Sequence, residues 1–319
     1  MFVGIDLGGT AIKGALIDGK GAMLSFAQIE TPGSAKKIDD GILGLMAILA
    51  SSAKISETDI QGVGIGSAGS IDKSRGRIIT SPNIPALKNH PLARNLEKAA
   101  GARVFLENDA TVALMGASWK GKSGFRNWIM LTLGTGIGGG AVIDGRVYTG
   151  QSGNAMEVGH MSIDHAGREC PCGNRGCLER YASASALARD AEALAKTNPG
   201  SSLNGRMKNG SLTALAVYEE ALKKDRAALA AIREAARYLG YGIAALVNLF
   251  NPEAVVLGGG LSNAHSMLIP VIEDTVRLRA LPGLKENVRI IPVKDPSRVP
   301  SIGAAKMAMD ALSGIPETR

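Results

Sequence analysis

Short apolar runs closed by glycine- and threonine-rich turns occur twice along this chain, in the same order and at the same offsets. Ile5-Asp6-Leu7-Gly8-Gly9-Thr10 is matched by Leu131-Thr132-Leu133-Gly134-Thr135-Gly136, and Gly14-Ala15-Leu16-Ile17-Asp18-Gly19-Lys20 is matched by Gly140-Ala141-Val142-Ile143-Asp144-Gly145-Arg146. Each copy reads as an apolar strand, a Gly/Thr turn, a second apolar strand and an Asp-Gly turn into the next strand. The pattern predicts a duplicated hairpin.

Around the two copies, strand patterns alternate with helical periodicity, as in an α/β protein. An amphipathic helix is predicted over 38–53, a strand over 61–66 and a turn-rich stretch over 67–86. A helix near 91–100 ends at Gly101, a strand over 103–107 carries Asn108 and Asp109 at its end, and a helix over 110–120 is closed by Gly121. The domain boundary is expected there, with 1–121 a small N-terminal α/β domain and 122–301 a larger one opened by the second hairpin. The larger domain holds a loop-rich insertion at 151–180, a helical run with a polar break at 197–211, and a long helix over 227–250. That helix feeds a strand at 253–257, which stops at Gly258-Gly259-Gly260. A last helix over 302–312, with Ser301 as its cap, is expected to pack back with the rest of 302–319 on the first domain.

Composition and charge narrow the class. A chain of 319 residues exceeds the usual size of a single core, and 45% hydrophobic content is enough for two. Met1 leads straight into the strand carrying Asp6, and the longest apolar run, 42–50, is well short of the roughly 20 residues a membrane-spanning helix needs. A cytoplasmic enzyme without membrane contact is expected. The formal charge is +7, but the basic residues are scattered apart from Lys120-Gly121-Lys122 and Arg126. A solvated basic surface fits that distribution better than a nucleic-acid footprint.

Three features carry chemistry. Glycines at the first turn of each hairpin let the backbone come close to a ligand, and a turn with several unpaired N–H groups is a concave anion site. Two such turns can grip one polyphosphate from both sides. The second feature is a cluster with the spacing H-x9-C-x-C-x4-C: His160, Cys170, Cys172 and Cys177, which includes every cysteine of the chain. Cysteines this few and this close make a disulfide framework a poor reading, whereas three thiolates and one imidazole complete a closed tetrahedral Zn²⁺ shell of the structural kind. The third is Asp109. A carboxylate at the end of a strand can orient an attacking hydroxyl and take its proton, although Asn108 or Asp109 can equally cap the helix that follows.

Asp6-Leu7-Gly8-Gly9-Thr10, Glu107-Asn108-Asp109-Ala110, Leu133-Gly134-Thr135-Gly136-Ile137-Gly138-Gly139-Gly140, Glu157-Val158-Gly159-His160 and Cys170-Pro171-Cys172-Gly173-Asn174-Arg175-Gly176-Cys177-Leu178-Glu179 together resemble the ROK (repressor, open reading frame, kinase) sugar kinases over nearly the whole chain. The resemblance implies the actin-like ATPase fold of hexokinase and Hsp70, two duplicated α/β domains with a cleft between them. It also implies transfer of the γ-phosphoryl of ATP to a hexose hydroxyl, and a homodimer. Under it Asp109 becomes the catalytic base. Asn108, Asp109, Glu157, His160, Glu179 and Ser67 become the sugar contacts, with His160 holding zinc through its other ring nitrogen. Gly8, Gly9, Thr10 and Lys13 would meet the terminal phosphates, with Asp6 holding Mg²⁺ through water. Gly134, Thr135, Gly136 and Gly138 would form the opposing grip, and Gly258, Gly259 and Gly260 the turn against adenosine.

The family's repressors place a winged helix-turn-helix before the first phosphate turn; that turn comes almost at Met1 here, so no DNA-binding segment is expected. A silent sugar-binding module would have no need of Asp6, Asp109 and both glycine turns together. The expected reaction is therefore phosphorylation of the 6-hydroxyl of glucose. The chain departs from the family at Ala68-Gly69, where Pro-Gly is common, and lacks a Trp after Pro82-Asn83-Ile84-Pro85-Ala86-Leu87. Both segments adjoin the expected sugar position and keep N-acetylmannosamine and N-acetylglucosamine open as substrates.

Overall fold

The computed structural model describes residues 1–81, 83–121, 124–151, 153, 155–208, 210 and 212–314. Of the expected features, Pro82, Lys122, Ser211 and the 315–319 end of the terminal segment lie outside the described residues. The chain divides into two compact units, one of Met1–Gly124, Arg146–Asn154 and Ser297–Arg319, the other of Phe125–Gly145 and Ala155–Pro296.

In the first unit, β1 (Phe2–Leu7) and β2 (Ala11–Ile17) form the expected hairpin, and β3 (Met23–Glu30) pairs with β2. The helix α1 (Ala35–Ser52) buries Ile38, Ile42, Leu45 and Leu49, one stripe at helical spacing. Then come β4 (Gly62–Ser67), the small hairpin β5 (Ser70–Asp72) and β6 (Arg77–Thr80), and α2 (Leu92–Ala100), which stops at Gly101 in the left-handed region at φ 68°. β7 (Arg103–Asn108) and α3 (Asp109–Gly121) complete the run. The sheet order is β3-β2-β1-β4-β7, with β1, β4 and β7 parallel. Strands buried on both faces carry unbroken apolar runs, and β4 is buried at every position.

The second unit repeats this plan. β8 (Trp128–Leu133) and β9 (Ile137–Ile143) form its hairpin, followed by Asp144 and Gly145, both at positive φ; β10 (Arg146–Tyr148), which comes next in the chain, belongs to the first unit. A helical run follows: α4 (Glu179–Ala182), α5 (Ala184–Lys196), α6 (Leu203–Lys208), α7 (Ala214–Leu222) and α8 (Arg226–Phe250). β11 (Ala254–Gly258), α9 (His265–Arg279) and β12 (Arg289–Pro292) close the unit. The strand order β9-β8-β11-β12 is the counterpart of β2-β1-β4-β7. Its core gathers Leu131, Leu133, Val255 and Leu257 of the sheet with Leu239, Ile243 and Val247 of α8.

The last helix, α10 (Val299–Leu312), packs within the first unit against α3, β1 and β4. It lies so close that a Cβ at Gly4 would overlap the Ser301 carbonyl oxygen, and one at Gly64 would overlap that of Ala304. Ser301 is not the cap. The helix starts at Val299, and Ser301 is a buried residue of its first turn whose hydroxyl donates to the Lys13 carbonyl at 3.2 Å.

Two other expectations are corrected. The polar break at 197–211 contains the helix α6, held because Arg206 and Lys223 both pair with buried Glu220, which also accepts from the Ser202 hydroxyl at 2.7 Å. The turn-rich stretch 67–86 contains the β5–β6 hairpin, too short for its alternation to stand out.

Candidate active site

Parallel pairing brings three strand ends of the first unit together. Leu7 lies beside Ser67, and Ser67 beside Asn108; one step back, Asp6 lies beside Gly66 and Gly66 beside Glu107. Ligand sites of open α/β sheets form at such carboxyl ends. Asp6, 17% exposed, faces Lys13 across the hairpin, with Nζ 3.9 Å from Oδ2. Burial raises its carboxyl to about 6; Lys13 opposes the rise and the charge of Asp109 adds to it. Asp6 thus stands in the field of Asp109, and a cation placed there would displace a proton near or below about pH 6.

The capping question is answered by the hydrogen bonds. Asn108 Oδ1 accepts from the Ala110 and Thr111 amides at 2.9 and 3.3 Å, so Asn108 is the cap. Asp109 is the first helical residue, with Oδ1 on the Ala110 amide at 2.9 Å, where the helix dipole favours a negative charge. Behind it, Glu107 is 3% exposed, accepts from the Asn108 amide at 2.8 Å and pairs with Lys73 from the β5–β6 turn. The first glycine turn is tied at both sides, by the Gly8 amide on Ala11 O and the Thr31 hydroxyl on Gly8 O. Gly9 abuts Asn83, whose carbonyl oxygen would lie 2.9 Å from a Cβ there, and Thr10 is the last residue of the turn before β2. Lys73, Asn83 and the structural part of Glu107 were not legible as site residues; each acts through contacts distant in sequence.

In the second unit, the Gly134 amide donates to Gly136 O at 3.0 Å, closing the turn, and Thr135 at its tip is exposed. Gly138 pairs with Thr132 inside β9. Gly258 pairs with the same Thr132 from β11, and a Cβ at Gly259 (φ 78°) would lie 2.5 Å from Leu133 O. The Gly258-Gly259-Gly260 turn therefore adjoins the end of β8, and the second and third predicted glycine segments form one ledge.

His160, Cys170, Cys172 and Cys177 converge, with all four donor atoms within 4.8 Å of one another. Cys172 and Cys177 Sγ are 3.7 Å apart, and Cys170 Sγ is 3.7 Å from His160 Nδ1. A tetrahedron with Zn–S of about 2.3 Å and Zn–N of about 2.0 Å has edges of about 3.8 and 3.5 Å, so the donor set matches zinc in type and size. Burial pushes the Cys170 thiol up to about 12 and also raises Cys177, while the Asn174 amide lowers exposed Cys172. No cysteine is disulfide-bonded. Glu157 is exposed at the start of the turn Val158–His160. Glu179 opens α4, with Oε1 3.3 Å from Cys170 Sγ and 3.6 Å from His160 Nδ1.

Residues 2–311 match the model of the ROK family. The chain is 37% identical to the glucokinase of Halalkalibacterium halodurans, over 90% of this chain and 88% of that protein. It is 29% identical to the xylose repressor of Caldicellulosiruptor bescii, over 99% of this chain and 79% of that protein. Among solved structures, a ROK family glucokinase from Streptomyces griseus in complex with glucose and AMPPNP aligns at a TM-score of 0.86 and 32% identity, over 96% of this chain and 98% of that one. The family's sugar kinases have the actin-like ATPase fold, which the two matched units of this chain share. The chain belongs to the ROK family.

Proposed function

We propose that this protein is an ATP-dependent hexose kinase acting on the 6-hydroxyl of glucose. The reading rests first on Asp109, which the Asn108 cap leaves at the mouth of β7 beside Asp6, and is supported by the likeness to glucokinases. Asp109 orients the sugar's primary hydroxyl and accepts its proton as the oxygen attacks the γ-phosphorus; the new O–P bond forms, the bond to the β,γ-bridging oxygen breaks, and ADP leaves. Asn108, Ser67, Glu157, His160 and Glu179 hold the remaining hydroxyls. Gly8, Gly9, Thr10 and Lys13 serve the terminal phosphates, and Gly134, Thr135, Gly136 and Gly138 with Gly258, Gly259 and Gly260 the rest of the nucleotide. Asp6 is the residue that would hold hydrated Mg²⁺, which neutralises phosphate charge during transfer.

The Cys3His group is proposed to hold structural zinc, ordering His160 and its neighbours rather than activating water. Purified protein should carry about one zinc per chain, and Cys172→Ser, which weakens one ligand of a closed shell, should carry less than about a third as much. Full zinc content in the variant would contradict the assignment.

Family resemblance supports a homodimer. The scattered basic residues give no support to nucleic-acid binding, and among the described residues no helix is long and apolar enough to cross a membrane. The test of the reaction is product identity: incubation with glucose and Mg-ATP should give glucose 6-phosphate, with phosphorus coupled to the C6 protons by NMR. Phosphate on any other oxygen would overturn the regiochemistry.

A further inference from the structure

The segment that leaves the Cys3His group runs directly to the second glycine turn. Cys177 is followed by Leu178, fully buried and pressed against Gly242 of α8, where a Cβ would lie 2.6 Å from the Leu178 side chain. Glu179 comes next. A few residues on, the Ala184 amide donates to Gly134 O at 2.8 Å, so the backbone of this segment supports the turn.

The Glu179 side chain makes a second connection. Its Oε1 rests against Cys170 Sγ and His160 Nδ1, while its Oε2 lies over Gly136, 2.6 Å from where a Cβ would stand. One carboxylate therefore touches two members of the donor cluster with one oxygen and the nucleotide turn with the other. The position opposite must be small, and glycine is what the chain has there.

We infer that Glu179 is a positioning residue that couples occupancy of the Cys3His group to nucleotide affinity through Gly136. The inference rests on the proposed roles of that cluster and of the 134–138 turn. With metal bound, Cys170 is a thiolate and donates no proton to Glu179, but it and His160 are held in place, and the surface beside Glu179 is fixed with them. Without metal, both side chains regain rotamer freedom, and so does the carboxylate leaning on them. A nucleotide arriving at the turn must then supply the ordering that the metal would have supplied, and binds more weakly. The coupling is reciprocal, so nucleotide should raise the affinity for the metal and lower the fraction that a given chelator concentration removes at equilibrium.

The test is AMPPNP binding by calorimetry without sugar, on zinc-loaded and chelator-stripped full-length protein. Stripping should weaken AMPPNP binding to the wild type by about fivefold or more, the lower end of coupling between linked sites. Glu179→Gln keeps the length and an acceptor oxygen and should keep the coupling. Glu179→Ala removes the strut without removing a metal ligand; its zinc content should stay, and stripping should change its AMPPNP affinity by less than about twofold. Wild-type affinity indifferent to stripping would overturn the inference, as would undiminished coupling in Glu179→Ala. Failure of the zinc-loaded wild type to bind AMPPNP at all would instead remove the nucleotide-site reading, and this inference with it.

Discussion

Asp109→Asn should lower kcat by about a hundredfold or more, the scale of losing a general base, while AMPPNP binding and thermal stability stay near wild type. The substitution keeps size and leaves the helix cap untouched, because the cap is Asn108. It removes only the capacity to take the sugar's proton and the negative charge of residue 109. That charge also helps raise Asp6, so the variant should lower the Asp6 carboxyl from its value of about 6. The sign follows: a raised acid holds its proton until the pH climbs through about 6, and without Asp109 it releases that proton at lower pH. The pH dependence of Mg-nucleotide affinity reads this shift independently of turnover. A variant retaining more than about a tenth of wild-type kcat would reduce Asp109 to a structural residue.

Gly64→Ala should cost about 3 kcal/mol or more, among the largest stability losses available to a single methyl group. The added Cβ would overlap the Ala304 carbonyl oxygen and lie 2.6 Å from its carbon, both backbone atoms of α10. Neither can rotate away. The helix would have to lift from β4, opening the layer in which Ala304, Ala305 and Ala308 are buried. Gly33→Ala is the matched control, since a Cβ there meets nothing within 4 Å and the expected change is about 0.5 kcal/mol or less. Equal thermal midpoints for the two variants would contradict the packing account.

The duplicated hairpin was legible because its signal is local: an apolar run, a glycine turn and a second run, repeated at one offset. From it followed the matched strand orders β2-β1-β4-β7 and β9-β8-β11-β12. The cysteine cluster was legible for the same reason, since three of its members lie within eight residues of one another. What escaped was decided by partners far along the chain. Ser301 looks like a cap, but its hydroxyl meets Lys13 O across almost the whole sequence. Glu107 shows no local sign that Lys73 neutralises it. α6 lies in a polar stretch, and buried Glu220, which ties it to α7, has no apolar periodicity to announce it. Asn108 could not be told from Asp109 as the helix cap until the amide hydrogen bonds were known.

The direct test of the kinase reading is steady-state ADP release from Mg-ATP with glucose, fructose, N-acetylmannosamine and N-acetylglucosamine. A carboxylate or amide that loses its hydroxyl partner in the bound complex costs about 1–3 kcal/mol, so the proposed sugar contacts should discriminate strongly among sugars. The account predicts kcat/KM for glucose at least about tenfold above each of the others. A preference of about tenfold or more for an N-acetylated sugar would overturn the substrate, and no sugar-dependent ADP release with any of them would contradict the kinase itself.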